Sequence, residues 1–137
     1  MVSMDEPYGD TNLLAHGSHV YVDCLDYNPP FTDDGSWILQ KMEEAVRVNE
    51  VRLVHSHVEI FDGSVSPSGF AAVVLIDESH VSAHCYSERG WLALDSFTCG
   101  KTDADGIIDY LLDQISLAVP SLRIVRRDKV QRFLHEN

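Results

Sequence analysis

Cysteine is scarce in this chain, with residues only at 24, 85 and 99 among 137 positions. The count is odd and no pair has CxxC spacing, which excludes a disulfide framework and points to free thiols in a reducing, cytoplasmic setting. Long apolar runs are missing, so no membrane span is expected. The first ten residues are acidic and polar, unlike the basic-then-apolar order of a signal peptide. There is no low-complexity linker and no internal repeat, and 137 residues suit a single domain spanning 1–137. Basic residues are also few: 10 Lys and Arg stand against 22 Asp and Glu, for a formal charge of −12. That balance argues against nucleic acid as a partner and suits a small cationic substrate. Half of the basic residues lie in the last segment, at Arg123, Arg126, Arg127, Lys129 and Arg132. They read as a solvated or interface-forming tail that balances the acidic body.

What the chain does have is apolar residues, at 45% of the sequence, in patterns that name elements. After a loose lead-in over 1–15, His19 to Leu25 is β-rich and reads as a first strand. Asn28-Pro29-Pro30 breaks it. Asp33 or Asp34 then caps a helix from about Ser36 to Val48, with Ile38, Leu39, Met42, Ala45 and Val46 on one face. Val51 to Phe61 alternates as a second strand, and turn residues follow over 62–69. Phe70 to Asp77, His80 to Tyr86 and Trp91 to Phe97 are further strands, the last two forming a hairpin. Thr102-Asp103-Ala104-Asp105 has the form of a capping box. It opens a helix with Ile107, Ile108, Leu111, Leu112 and Ile115 inward. Pro120 ends that region, and Leu122 to Val125 is a short last strand. The order predicts an α+β two-layer sandwich, with a mainly antiparallel sheet and both helices on one face. A second copy of the chain would cover the other face.

The block from Asp77 to His84, followed by Phe97-Thr98-Cys99-Gly100, carries the chemistry. A serine hydroxyl can attack the carbonyl of the residue before it, here Glu78, and convert the peptide bond to an ester. Elimination then splits the chain and leaves dehydroalanine, and hydrolysis gives a pyruvoyl group and ammonia. Such a reaction needs a well-held peptide, a proton carrier and a stabilised oxyanion. His84 can move protons near neutrality. A pyruvoyl carbonyl condenses with a substrate amine and draws electrons from a breaking carbon–carboxylate bond. A thiol such as Cys99 can then return a proton. Spacing alone leaves a second reading open, in which the block is two strands that contain a Ser, two His and a Cys.

Two other classes compete with this one. His55 and His57 share a strand face, and His80, His84, Cys85 and Cys99 follow, which are residues that zinc accepts. No ligand pair recurs at zinc-finger spacing, and no metal is expected. A non-processing binding protein on the same scaffold is the other alternative. Cys24 and Cys85 read as core thiols, and Trp37 and Trp91 as packing or interface residues.

The stretch from Val73 to His84 resembles the processing region of bacterial and archaeal S-adenosylmethionine decarboxylases. The stretch from Gly90 to Gly100 resembles their catalytic-cysteine region, and the likeness reaches back to Gly17-Ser18-His19 and Asp23. The resemblance implies a dimerising α/β sandwich with active sites near the subunit interface. It implies that Ser79 becomes a covalent pyruvoyl cofactor and that cleavage separates fragments 1–78 and 79–137. His84 would be the processing histidine and Cys99 the proton donor. Glu88 would hold ribose hydroxyls, with Phe61 and Tyr86 as stacking groups. Three departures stand beside these matches. His84-Cys85-Tyr86-Ser87-Glu88 replaces the family's His-Thr-Trp-Pro-Glu. Ala71 occupies the place of a helper serine, for which Ser66, Ser68 or Ser82 are the substitutes to hand. The loop over 62–68 is longer than usual. Some members of the family act on L-arginine or L-ornithine, so substrate choice stays open, with S-adenosylmethionine ahead.

Overall fold

A computed structural model of the chain describes residues 12–137. Most of the expected lead-in, up to residue 11, lies outside the described residues. The chain is already a strand from Leu14, so β1 is Leu14–Leu25 rather than a strand that begins at His19. It is followed by α1 (Asp34–Val48), β2 (Leu53–Phe61), β3 (Gly69–Ile76), β4 (Ser79–Tyr86), β5 (Trp91–Cys99), α2 (Ala104–Ala118) and β6 (Arg123–His135), with a single 3-10 turn, Ser87–Arg89, between β4 and β5.

The six strands form one sheet in the order β2-β3-β4-β5-β1-β6. Every neighbouring pair is antiparallel, as expected for strands joined by hairpins and short helices. Side chains alternate between the two faces. In β5, Leu92, Leu94, Ser96 and Thr98 are buried, while the residues between them are not. The buried face packs against both helices. Ile38, Met42, Ala45 and Val46 recur at helical spacing in α1, and Ile107, Ile108, Leu111 and Ile115 do so in α2; all eight are 0% exposed. Each fully buried Ile or Leu contributes roughly 1.5–3 kcal/mol. Gly35 sets how closely α1 approaches the sheet, because a Cβ there would stand 2.5 Å from Ile60 Cδ1 and 3.2 Å from Phe70 Cβ. The predicted α+β layering therefore holds, with both helices on one face. The other face is open: Leu75, Tyr86 and Trp91 on it are 43–47% exposed.

Three local expectations need correction. Neither predicted helix cap works through its side chain. Asp33 is at the N-cap of α1 without a capping hydrogen bond, and Asp34 instead accepts from the Tyr27 hydroxyl at 3.0 Å. At α2 the N-cap is Asp103, also without a side-chain bond, and Asp105 serves Arg127 and Lys129. The last strand is also far longer than Leu122 to Val125. It runs thirteen residues and pairs with β1 along its length. Its basic residues are not a free tail. Arg123 pairs with Asp26, Arg126 with Asp23, Arg127 with Asp105 and Asp109, and Lys129 with Asp105.

Candidate active site

β3 and β4 are joined by the two residues Asp77 and Glu78, with Ile76 opposite Ser79 closing the turn. Glu78 takes φ +64°, left-handed backbone that costs a non-glycine residue roughly 1–2 kcal/mol. Arg52 holds the other turn residue, its guanidinium donating to Asp77 Oδ1 at 2.8 Å. The peptide between Glu78 and Ser79 thus follows directly on a strained, anchored turn.

Ser79 is only 8% exposed, and its Oγ lies 3.1 Å from Cys99 Sγ. The same thiol lies 3.8 Å from the carbonyl oxygen of Glu78. Serine hydroxyl, preceding carbonyl and thiol therefore form one contact group, although twenty residues separate Ser79 from Cys99. The Phe97-Thr98-Cys99-Gly100 segment explains the aim of the thiol. Thr98 is buried and its hydroxyl donates to the Thr102 carbonyl at 3.0 Å, which ties down the loop beyond. Gly100 turns the chain at φ +64°, and its N–H donates to the His16 carbonyl at 2.7 Å. Cys99 is left at the strand end, facing the β3–β4 turn. Two clefts meet at Glu78. One, of about 370 Å³, is bounded by His16, Glu78, Cys99 and Phe133; the other, of about 500 Å³, includes Arg52, Ser79, His80 and Phe97.

The remaining predicted site residues gather elsewhere. His84 is exposed on the open face of β4, opposite Ala71 of β3 and Ala93 of β5. It is five residues from Ser79 along the strand, or about 16 Å at strand rise. Phe61, Gly69, Tyr86 and Trp91 form one row across four strands. Tyr86 and Trp91 rings meet edge to face at 5.6 Å, and Glu88 follows in the exposed turn after β4. The chain thus brings Glu78, Ser79 and Cys99 together at one end of the sheet. It brings Phe61, Ala71, His84, Tyr86 and Glu88 together at the other. None of the serines considered as stand-ins at Ala71 bonds to Ser79 or His84 among the described residues. Ser82 instead donates to Asp95, and Ser68 receives the Ser87 N–H at 3.0 Å through its carbonyl.

A third cluster escaped the sequence reading. His19 of β1, His80 of β4 and Asp95 of β5 converge on the open face, with His19 Nε2 at 2.5 Å and His80 Nε2 at 3.1 Å from Asp95 Oδ2. Burial would raise the Asp95 carboxyl, but hydrogen bonds from His80, Ser82 and His19 outweigh it and hold the group down at about 2. These three groups stand close enough for a metal ion. Arg132, however, reaches His19 Nδ1 at 2.8 Å. A guanidinium can only donate, so Nδ1 accepts, and Nε2 carries the ring proton toward Asp95. The cluster is built as a hydrogen-bond network rather than a coordination sphere. His55 and His57, the other imidazoles weighed as ligands, are exposed on β2, where His57 meets Glu59 at 2.9 Å. Cys24 and Cys85 are buried core thiols, and desolvation pushes both up to about 11.

Comparison with known proteins bears on the family and the fold. The family model described as S-adenosylmethionine decarboxylase matches residues 18–128. The chain is 33% identical over 112 residues to an S-adenosylmethionine decarboxylase proenzyme of Thermococcus onnurineus, covering 81% of this chain and 77% of that one. It is 37% identical over 97 residues to a proenzyme of the same name from Brevibacillus brevis, covering 70% of each. Among solved structures, the adenosylmethionine decarboxylase of Aquifex aeolicus superposes with a TM-score of 0.59 at 26% identity, covering 90% of this chain and 91% of that one. With a family match over most of its length and relatives above 30% identity, the chain belongs to the S-adenosylmethionine decarboxylase family.

Proposed function

We propose that this chain cuts itself between Glu78 and Ser79, carries a pyruvoyl group made from Ser79, and decarboxylates S-adenosylmethionine in polyamine biosynthesis. The contact of Ser79 Oγ with Cys99 Sγ at 3.1 Å, beside the Glu78 carbonyl, is the observation that carries this reading. In the cut, Ser79 Oγ bonds to the Glu78 carbonyl carbon, and the Glu78–Ser79 C–N bond breaks as the amine takes up a proton. Loss of the Cα proton then expels the Glu78 carboxylate, leaving fragments 1–78 and 79–137. Water finally replaces the nitrogen, releasing ammonia and leaving the carbonyl.

The residues present suit the group. Ser79 is nearly buried, its turn is strained, and a thiol stands at contact distance. The pyruvoyl carbonyl supplies the electron sink for loss of carbon dioxide. Cys99 then holds the proton for the substrate carbon, from a position that opens on a cavity of about 370 Å³. The printed names of the relatives favour S-adenosylmethionine as substrate. The row of Phe61 and Tyr86 offers aromatic faces for a purine, and Glu88 a carboxylate for hydroxyl groups. The working unit in this reading is a homodimer, in which the His84 end of one sheet lies over the Ser79 end of the other.

Intact mass and carbon dioxide release test the reading together. The purified protein should appear as two fragments divided before Ser79. Ser79→Ala should remain one chain of 137 residues. Cys99→Ala should still divide while turnover falls by about 10²-fold or more, within the usual range for loss of a proton donor. Release is measured with S-adenosylmethionine, L-arginine and L-ornithine in parallel. A wild-type chain that stays whole would refute self-processing and leave a binding role. Release from an amino acid alone would transfer the substrate assignment.

A further inference from the structure

The network of His19, Asp95 and His80 is absorbed by neither step proposed above, yet it grips the residue next to the reacting one. Cutting between Glu78 and Ser79 turns Ser79 into a chain end. Its only remaining covalent attachment is to His80. Free strand ends fray unless something ties them down. The β3–β4 turn, which holds Ser79 in the uncut chain through Asp77 and Arg52, no longer reaches it.

His80 is laddered between Leu75 of β3 and Phe97 of β5. Its ring meets Phe97 edge-on at 5.7 Å and sets Nε2 3.1 Å from Asp95 Oδ2. Asp95 is fixed in turn by His19 at 2.5 Å and by the hydroxyl of Ser82. His19 is backed by Arg132, whose guanidinium also lies 4.7 Å over Phe97. Side chains from β1 and β4 therefore converge on one carboxylate of β5, with Arg132 of β6 behind His19, and that carboxylate holds the side chain adjoining Ser79.

We propose that His80, clamped by Asp95 and His19, is a positioning residue that keeps the new end of the 79–137 fragment against Cys99 once the chain is cut. This rests on the self-processing reading above. The clamp acts on neither the substrate nor the Glu78 carbonyl. Its loss spares division of the chain, where the intact turn still holds Ser79, and damages turnover, where the bond to His80 is the one covalent tie left beside the strand pairing to Ile76.

The experiment compares His80→Leu, His80→Gln and Asp95→Asn with the wild type, all as purified full chains. Hydrogen–deuterium exchange is followed by mass over residues 79–86 of the processed protein. Exchange at residues 80–82 should rise by about tenfold or more in His80→Leu and Asp95→Asn. His80→Gln, whose amide can still donate to Asp95, should stay near the wild type. For S-adenosylmethionine, kcat should fall by at least ~10-fold in the first two variants while KM stays within about twofold, since a small misplacement of a reacting group is costly. Wild-type exchange and kcat in His80→Leu would overturn the clamp and leave self-processing standing, as would an equal loss in His80→Gln. A wild-type chain that never divides would overturn both readings.

Discussion

Asp95 makes an acid-titration test possible. In the folded chain its carboxyl lies at about 2, down from an ordinary 3.8. Desolvation opposes that drop; hydrogen bonds from His80, Ser82 and His19 produce it. A carboxylate whose folded pKa is depressed adds stability above its unfolded pKa, and that stability disappears as pH falls through the folded value. At 1.36 kcal/mol per unit, this drop is worth about 2 kcal/mol. The side chain is 18% exposed, so solvent screening removes little of it. Urea unfolding of Asp95→Asn against its parent, both carrying Ser79→Ala to keep the chain whole, should reveal the term. Protomer concentration must be matched, because any association shifts apparent stability. At pH 7 the parent should be more stable by about 2 kcal/mol. The gap should begin to close below about pH 4 and fall under about 0.5 kcal/mol near pH 2. A gap that keeps its size from pH 7 to pH 2 would refute the titration argument, and no gap at pH 7 would refute the network.

Two packing predictions stand apart from the site. Gly69 has φ +157°, and a Cβ there would fall 1.9 Å from the backbone oxygen of Cys85. Gly69→Ala should therefore cost about 3 kcal/mol or more in unfolding free energy, since backbone cannot step aside as a flexible side chain can. Ser96 is 0% exposed, and its hydroxyl finds no partner among the described residues. Ser96→Ala should raise stability by about 1 kcal/mol, and a lower melting temperature would mean that the hydroxyl is satisfied in solution.

The elements that sequence patterning found are those whose information is local. The apolar stripes of α1 and α2 and the alternation of β4 and β5 each follow from one segment's own period. The charges of β6 read locally as solvated, which is why its pattern predicts only a short strand. They are neutralised by Asp23 of β1, by Asp26 just past its end, and by Asp105 and Asp109 of α2, about twenty to a hundred residues away. No local window contains that pairing. The same distinction divides the site. Ser79 and Cys99 are legible because a hairpin joins their strands and the motif brackets both. His19, His80 and Asp95 are not, although His80 is among the residues that zinc accepts. His19 and His80 sit opposite Phe97 from its two sides, with Asp95 two residues along, so only the register of three strands unites them.

The two-ended division of the site follows from the rise of β4 between Ser79 and His84. Proton transfer requires approach to hydrogen-bond distance, about 3 Å, directly or through one water. His84 stands about 16 Å along β4 from Ser79. A change of rotamer moves an imidazole by a few ångströms and cannot close that gap. Within one protomer His84 thus has no reach to the Glu78–Ser79 peptide, and neither has Ala71, its partner on the neighbouring β3. For both to serve the cut, a second copy must supply them. The open face has what a second copy would cover: Leu75, Tyr86 and Trp91 are 43–47% exposed there, and burying such apolar surface yields roughly 25 cal/mol for each Å². A two-fold axis running across the strands reverses their direction, so the His84 end of each sheet meets the Ser79 end of the other. Each site would then take its nucleophile and thiol from one chain and its histidine and aromatic row from the other. The departures at Ala71 and Tyr86 would all enter from the side opposite the Ser79–Cys99 contact. Substrate contacts at the Tyr86 end could accordingly change without altering the Ser79–Cys99 contact.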